Sequence, residues 1–219
     1  MYLILARPLA VDKRSTMTPT VSKYLFLLGL VVQEAVRFPH RRRHRQEWRD
    51  GKMAETRTSR LDFALDMLAF TGMDIVPILF IFTPIFNSAD YSPPPWFGWV
   101  GLALLIGATW LLRRAHADLG RNWTPTLHIA QGHALITQGV YAHVRHPIYA
   151  AIWLTGLAQL FLLANWIAAP ACLVLFLPVY LVRVPREERM MLDHFGDVYR
   201  GYMARSGRVI PRRTRTANS

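Results

Sequence analysis

The sequence predicts an all-α integral membrane protein, with about five transmembrane helices and a cytoplasmic C-terminal amphipathic helix. Two observations carry this. Hydrophobic residues make up 52% of the 219-residue chain and charged residues only 18%, and the apolar ones are gathered into long runs. The charge is gathered as well: the net +12 is mostly arginine, lying between and after those runs. So basic a chain suits nucleic acid, anionic lipid or the cytoplasmic side of a membrane. Runs close to the length of a bilayer crossing select the membrane.

Taken in order, residues 1–20 read as a poorly ordered extension. MYLILARPLAVDKRSTM puts a short apolar start before its basic residues, the reverse of a cleavable signal peptide, and Met17 is a second candidate start. Residues 21–112 hold three spans, at about 21–38, 63–84 and 96–112, with a basic polar linker at 39–60. Pro77 and Pro84 fall in the second span, where neighbouring helices can re-satisfy the backbone. Residues 113–212 hold a hairpin of two further spans, 147–164 and 166–182, with their polar flanks, and 213–219 is a tail.

Arginine and lysine set the orientation. Segment 37–60 holds nine, 113–145 holds four (Arg113, Arg114, Arg121 and Arg145), and the tail from Arg183 holds nine arginines. IFNSADYSPPP (85–95) and LLANW (162–166) hold none. Five crossings fit this alternation, with the N-terminus outside and both 113–145 and 183–219 in the cytoplasm. The RRRHR run at 41–45 reads as an anchor beside a span, not a nucleic-acid patch. Membrane lipid is therefore an expected partner and nucleic acid is not.

Several chemistries are disfavoured. Cys172 is the single cysteine, so there is no internal disulfide and no cysteine-based metal site. His116 and His128 read as isolated loop histidines, so no metal is expected. No internal repeat supports a transporter. Asp66 and Asp74, within the second span, are functional candidates by position, with Asp66 near the cytoplasmic end where an arginine can pair with it.

The stretch VRHPIYAAIWL (144–154) places ionisable groups directly before an apolar run. Pro147 suits a first helical turn and holds His146 extended. A hairpin of two runs, each roughly 26 Å long at 1.5 Å per residue, turns near Asn165 and returns RVPREERMML (183–192) to the level of RHPIY (145–149). Arg145, His146 and Tyr149 then meet Arg183, Glu187 and Glu188. Beyond them an amphipathic interfacial helix is expected, with Met191, Phe195, Val198 and Tyr202 on one stripe.

The combined motifs carry a resemblance. HALITQGVYAHVRHPIY (133–149), the glutamate pair and Phe-Gly-x-x-Tyr-x-x-Tyr (195–202) are similar to the isoprenylcysteine carboxyl methyltransferase family, related to membrane phospholipid methyltransferases. Ile136 stands for the family's valine, Thr126 where a cofactor-contacting glutamine is found (Gln131 is out of register), and Ala151 for a glycine. The likeness spans roughly 113–212, and DLGRNW (118–123) looks like the bacterial branch.

The resemblance implies S-adenosyl-L-methionine as cofactor, bound without a dinucleotide fold, and GxGxxG is indeed missing from the sequence. It implies a cofactor pocket of His133, Ala134, Leu135, Ile136, Tyr141, His146, Pro147, Ile148, Tyr149 and Glu187. Arg183 falls where the eukaryotic enzymes carry a substrate-linked arginine, so Arg183 and Glu187 are the expected catalytic pair. The implied location is a bacterial inner membrane with the site facing the cytoplasm.

Chemically, Glu187 or Glu188 can meet a cationic cofactor, and aromatic rings can face its adenine or sulfonium. A carboxylate acceptor needs no general base, and Arg183 can grip its oxygens bidentately. An amine or thiol must lose a proton, to His146 or a glutamate. The expected function is thus methyl transfer to a lipophilic or lipidated acceptor, foremost carboxyl O-methylation of an isoprenylcysteine-like substrate. Phospholipid N-methylation and small-thiol S-methylation are the alternatives, and a non-catalytic scaffold or transport component is the competing class.

Overall fold

The computed structural model describes residues 17–49, 59–120 and 134–212. These form seven helices and no strand. They are α1 (Pro19–Arg49), α2 (Arg60–Phe70), α3 (Val76–Phe82), α4 (Phe97–Leu119), α5 (Pro147–Leu162), α6 (Ala171–Phe195) and α7 (Asp197–Arg205). A π segment, Thr71–Ile75, joins α2 to α3 in one continuous helical run.

Each expected span falls on a helix, but the five-crossing count is not carried by length and composition. Among the described residues, only Arg60–Phe82, 23 residues, is both long and apolar enough to cross a bilayer. α5 is apolar but stops at 16 residues. α1, α4 and α6 run on into arginine. α1 continues through the expected linker as far as Arg49, because Arg, Gln and Glu are good helix formers.

Prolines and glycines set the other ends. Thr83 is extended (φ −133°, ψ 157°) because Pro84 follows it, so the second run ends two residues early. α6 begins after Pro170 and runs through Arg183 to Phe195. Gly196, at φ +54°, breaks the single interfacial helix expected there into the end of α6 and a separate α7. The expected stripe is split with it: Tyr202 is buried while Val198 is exposed.

The main core lies where α1, α3, α4 and α5 meet the turn before α6, around Phe26, Leu30, Met73, Leu105, Leu162 and Cys172. Several polar groups inside it are hydrogen-bonded. Gln33 of α1 donates to Thr155 of α5 (3.0 Å) and Thr109 of α4 (3.3 Å). Gln159 donates to the carbonyls of Gly72 (3.2 Å) and Ala168 (2.6 Å), pinning the π segment to the α5–α6 turn. Asn165, fully buried at that turn, donates to Phe86 O and accepts from the amides of Ile167 and Ala168. Outside the core, large apolar side chains stand exposed on several helices: Leu28 and Val31 on α1, Phe63 on α2, Trp99 and Ile106 on α4, Val174 and Leu181 on α6.

Candidate active site

Pro147 occupies the first turn of α5, and His146 before it is non-helical (φ −124°, ψ 62°). The expected hairpin forms: α6 brings Arg183, Glu187 and Glu188 to the start of α5. Tyr149 donates its hydroxyl to Glu187 Oε1. His146 Nδ1 lies 3.4 Å from Glu187 Oε2, and its Nε2 lies 3.5 Å from Glu188 Oε1 without forming a directed hydrogen bond. The Tyr149 ring sits 5.7 Å from His146, 5.8 Å from Phe176 and 6.3 Å from Tyr180, with Trp153 against the last two.

The two adjacent glutamates have different duties. Glu188 is buried and accepts from Arg145 Nε (3.1 Å) and Nη2 (3.0 Å) and from Arg208 Nη2 (2.7 Å). Burial pushes its carboxyl up, but the nearby His146 ring and the hydrogen bonds from Arg208 and Arg145 outweigh that and bring it down to about 2. Its oxygens are spent on the protein. Glu187 keeps 26% of its side chain exposed against 5% for Glu188, so it is the carboxylate with a face left for a ligand.

His146 feels opposite influences. Burial disfavours its imidazolium, yet the Glu187 and Glu188 carboxylates more than compensate and hold its pKa above the ordinary histidine value. It therefore keeps its second proton longer than a free imidazole, which suits a donor better than a base.

The segment after α7 completes the cluster, and sequence reasoning missed it. Residues 206–208 run beside the histidine loop. Arg145 N donates to Gly207 O (2.8 Å), His146 N to Arg208 O (2.9 Å), and Gly207 N to His143 O (3.0 Å). The Arg145 side chain also caps the end of α7 through Met203 O (3.2 Å) and Ser206 O. Arg208 and Ser206 gave no signal in the sequence, because a basic tail of many arginines does not mark which of them reaches inward. Asp118 was missed similarly. From the end of α4 it accepts the amide of Val140 (2.8 Å) and crowds Gly139, whose φ of +60° makes the turn into Tyr141. Tyr141 is buried, and its carbonyl accepts from the Tyr202 hydroxyl (2.6 Å).

The remaining expected residues fall as follows. Pro147 is buried and Ile148 half-buried beside His146. Ala134 is exposed and Leu135 and Ile136 are half-buried, in an irregular stretch leading to the Tyr141 turn. His133, Thr126, Gln131 and His128 lie outside the described residues. Arg183, mostly covered, turns toward α2, where its Nη2 meets Asp66 Oδ1 (2.8 Å) and Asp62 O (3.0 Å), so Asp66 does pair with an arginine. Asp74 is not part of this cluster. It is buried on the π segment, and its charged neighbours Glu34, Arg37 and Arg41 belong to α1. His116 is within α4 rather than in a loop, its Nδ1 2.9 Å from Leu112 O and its ring tilted against that of His40, centroids 4.9 Å apart.

Residues 99–193 match the isoprenylcysteine carboxyl methyltransferase family. Protein-S-isoprenylcysteine O-methyltransferase B of Arabidopsis thaliana is 30% identical over 118 residues, 53% of this chain and 60% of that protein. The protein-S-isoprenylcysteine O-methyltransferase of Tribolium castaneum is 30% identical over 53% of this chain and 42% of its own length. That of Schizosaccharomyces pombe is 32% identical over 36% of this chain and 34% of its own length. The chain thus spans about a third to three fifths of these relatives. Within residues 99–193, which match the isoprenylcysteine carboxyl methyltransferase family, lie both glutamates, Arg183 and the RHPIY turn.

Proposed function

We propose that this chain is an integral-membrane, S-adenosylmethionine-dependent methyltransferase that O-methylates the carboxylate of an isoprenylcysteine-like lipid. The observation that carries it is the Tyr149–Glu187–His146 cluster, built by a helical hairpin within the family match.

The cluster fits the cofactor on this structure's own terms. Glu187 offers a partly exposed carboxylate for a cationic group, Tyr149 and its aromatic neighbours offer ring faces, and His146 Nε2 is a buried donor without an acceptor. When bound, S-adenosylmethionine supplies an already activated methyl. Tyr149 orients Glu187, the Glu188–Arg145–Arg208 group holds the histidine loop, and Arg183 offers a guanidinium to the acceptor's carboxylate. A carboxylate acceptor needs no base, in keeping with a histidine whose pKa the two carboxylates beside it raise, which makes it a poorer base. That property favours it over an amine or thiol, the acceptors of phospholipid N-methylation and small-thiol S-methylation. The exposed apolar side chains on α1, α2, α4 and α6 support embedding in lipid, with about five crossings and this site at the cytoplasmic edge, as in a bacterial inner membrane.

Calorimetric titration of detergent-purified protein with S-adenosylhomocysteine tests this, alongside His146→Ala and Glu187→Gln. Micromolar binding, lost in both variants, is expected. A well-folded wild type that does not bind sinks the enzyme and promotes a non-catalytic scaffold.

A further inference from the structure

Arg183 is only half engaged. Its side chain is 13% exposed, and its Nη2 meets one oxygen of Asp66 and the Asp62 carbonyl. Its Nε is buried with no hydrogen-bond acceptor. A buried guanidinium ordinarily uses its fork on paired oxygens, and an orphaned N–H there is a donor waiting for one. Tyr149, bonded to Glu187, lies beside the same guanidinium.

The partner that holds Arg183 is the exchangeable one. Asp66 is 51% exposed, and ion pairs with one member in solvent are weak. The nearby Asp62 carboxylate is already committed, to Arg186 (3.1 Å) and to Ser59 (2.7 Å). Asp66 also sits on α2, upstream of the π segment, whereas the π segment itself is pinned by Gln159. Such helix irregularities separate parts that can shift from parts that cannot.

We propose that Asp66 is a built-in competitor for the acceptor: its carboxylate occupies Arg183 until a substrate carboxylate displaces it and satisfies the orphaned Nε. This rests on the methyltransferase reading. Asp66 then sets specificity. An acceptor lacking a free carboxylate cannot make the exchange and leaves Arg183 closed onto α2.

The test measures binding of a free S-prenylcysteine derivative and of its methyl ester to the full chain in detergent, with S-adenosylhomocysteine present, by calorimetry. Apparent affinity scales with the competent fraction, so Asp66→Ala and Asp66→Asn are expected to tighten the free acid about three- to tenfold. The ester's affinity stays unchanged, and Asp66→Glu behaves as wild type. In turnover, acceptor KM falls in the two variants with kcat and donor KM unaltered. Unchanged or weakened acid binding in both variants overturns the inference while leaving the methyltransferase reading intact. A wild type that binds the acid but never methylates it sinks the methyltransferase reading alone. A wild type that binds neither compound overturns this inference too, since Arg183 then receives no carboxylate.

Discussion

The Tyr149 hydroxyl, on the first turn of α5, donates to Glu187 of α6, 38 residues further along the chain. This bond fixes one oxygen of the carboxylate and leaves the side chain's exposed face toward a ligand. Tyr149→Phe keeps the ring contacts with Phe176 and Tyr180 and removes only the donor. A hydrogen bond to a charged group is worth about 1.5–3 kcal/mol, so S-adenosylhomocysteine binding should weaken about tenfold with little change in thermal stability. Calorimetry beside a thermal melt reads both.

Neighbouring glutamates should separate into a ligand group and a structural one. Glu187→Gln is expected to abolish cofactor binding and leave the melting temperature near wild type. Glu188→Ala strands Arg145, itself mostly buried, and Arg208. Breaking a buried pair costs about 3–5 kcal/mol, so this variant should be strongly destabilised. Equal destabilisation by both substitutions would contradict the division of labour.

The same glutamate predicts an acid limit. Its carboxyl sits at about 2 in the folded protein against an ordinary 4.5, so its stabilisation is present above pH 4.5 and is lost as pH falls toward 2. Thermal melts in detergent should decline over that window, and Glu188→Gln should flatten the decline. His146 runs with the opposite sign. Its pKa is raised, so its contribution is complete below the ordinary 6.5 and disappears as pH climbs through the raised value. His146→Gln should remove that alkaline loss.

The strap after α7 should matter to ligand binding although Arg208 is half-exposed. Arg208→Ala removes one of two arginines on Glu188, and the remaining pair keeps the fold, with a stability cost of about 1 kcal/mol. Ending the chain after Arg205 removes the backbone bonds to Arg145 and His146 as well, and should abolish S-adenosylhomocysteine binding. Binding retained by the truncated chain would show the loop holding itself.

Packing at the π segment should affect stability but not ligand affinity. A Cβ at Gly72 would lie 2.7 Å from the Ala171 carbonyl, which is backbone and cannot rotate aside. Gly72→Ala should cost about 1–3 kcal/mol, the range for overpacking, with the affinity of the folded fraction unchanged. Chemical unfolding and calorimetry on the same preparation separate the two effects.

The sequence by itself determined where most of the helices lie and which turn comes to face the glutamate pair. Apolar runs and Pro147 place most of the helices, whereas Pro84, Pro170 and Gly196 set helix ends inside stretches expected to be continuous, because their local backbone preferences outweigh the apolar pattern. Spacing alone also brought RHPIY opposite the glutamate pair, since a hairpin with a short turn has one register. The tertiary structure alone decided which glutamate keeps an exposed face, that Arg183 rests on Asp66, and that Arg208 reaches Glu188. Those pairings join residues 20 to more than 100 positions apart, Arg208 with Glu188 and Arg183 with Asp66. Adjacent carboxylates on one helix are chemically identical in sequence. Only the neighbours packed around each, and the water left to each, give them different roles.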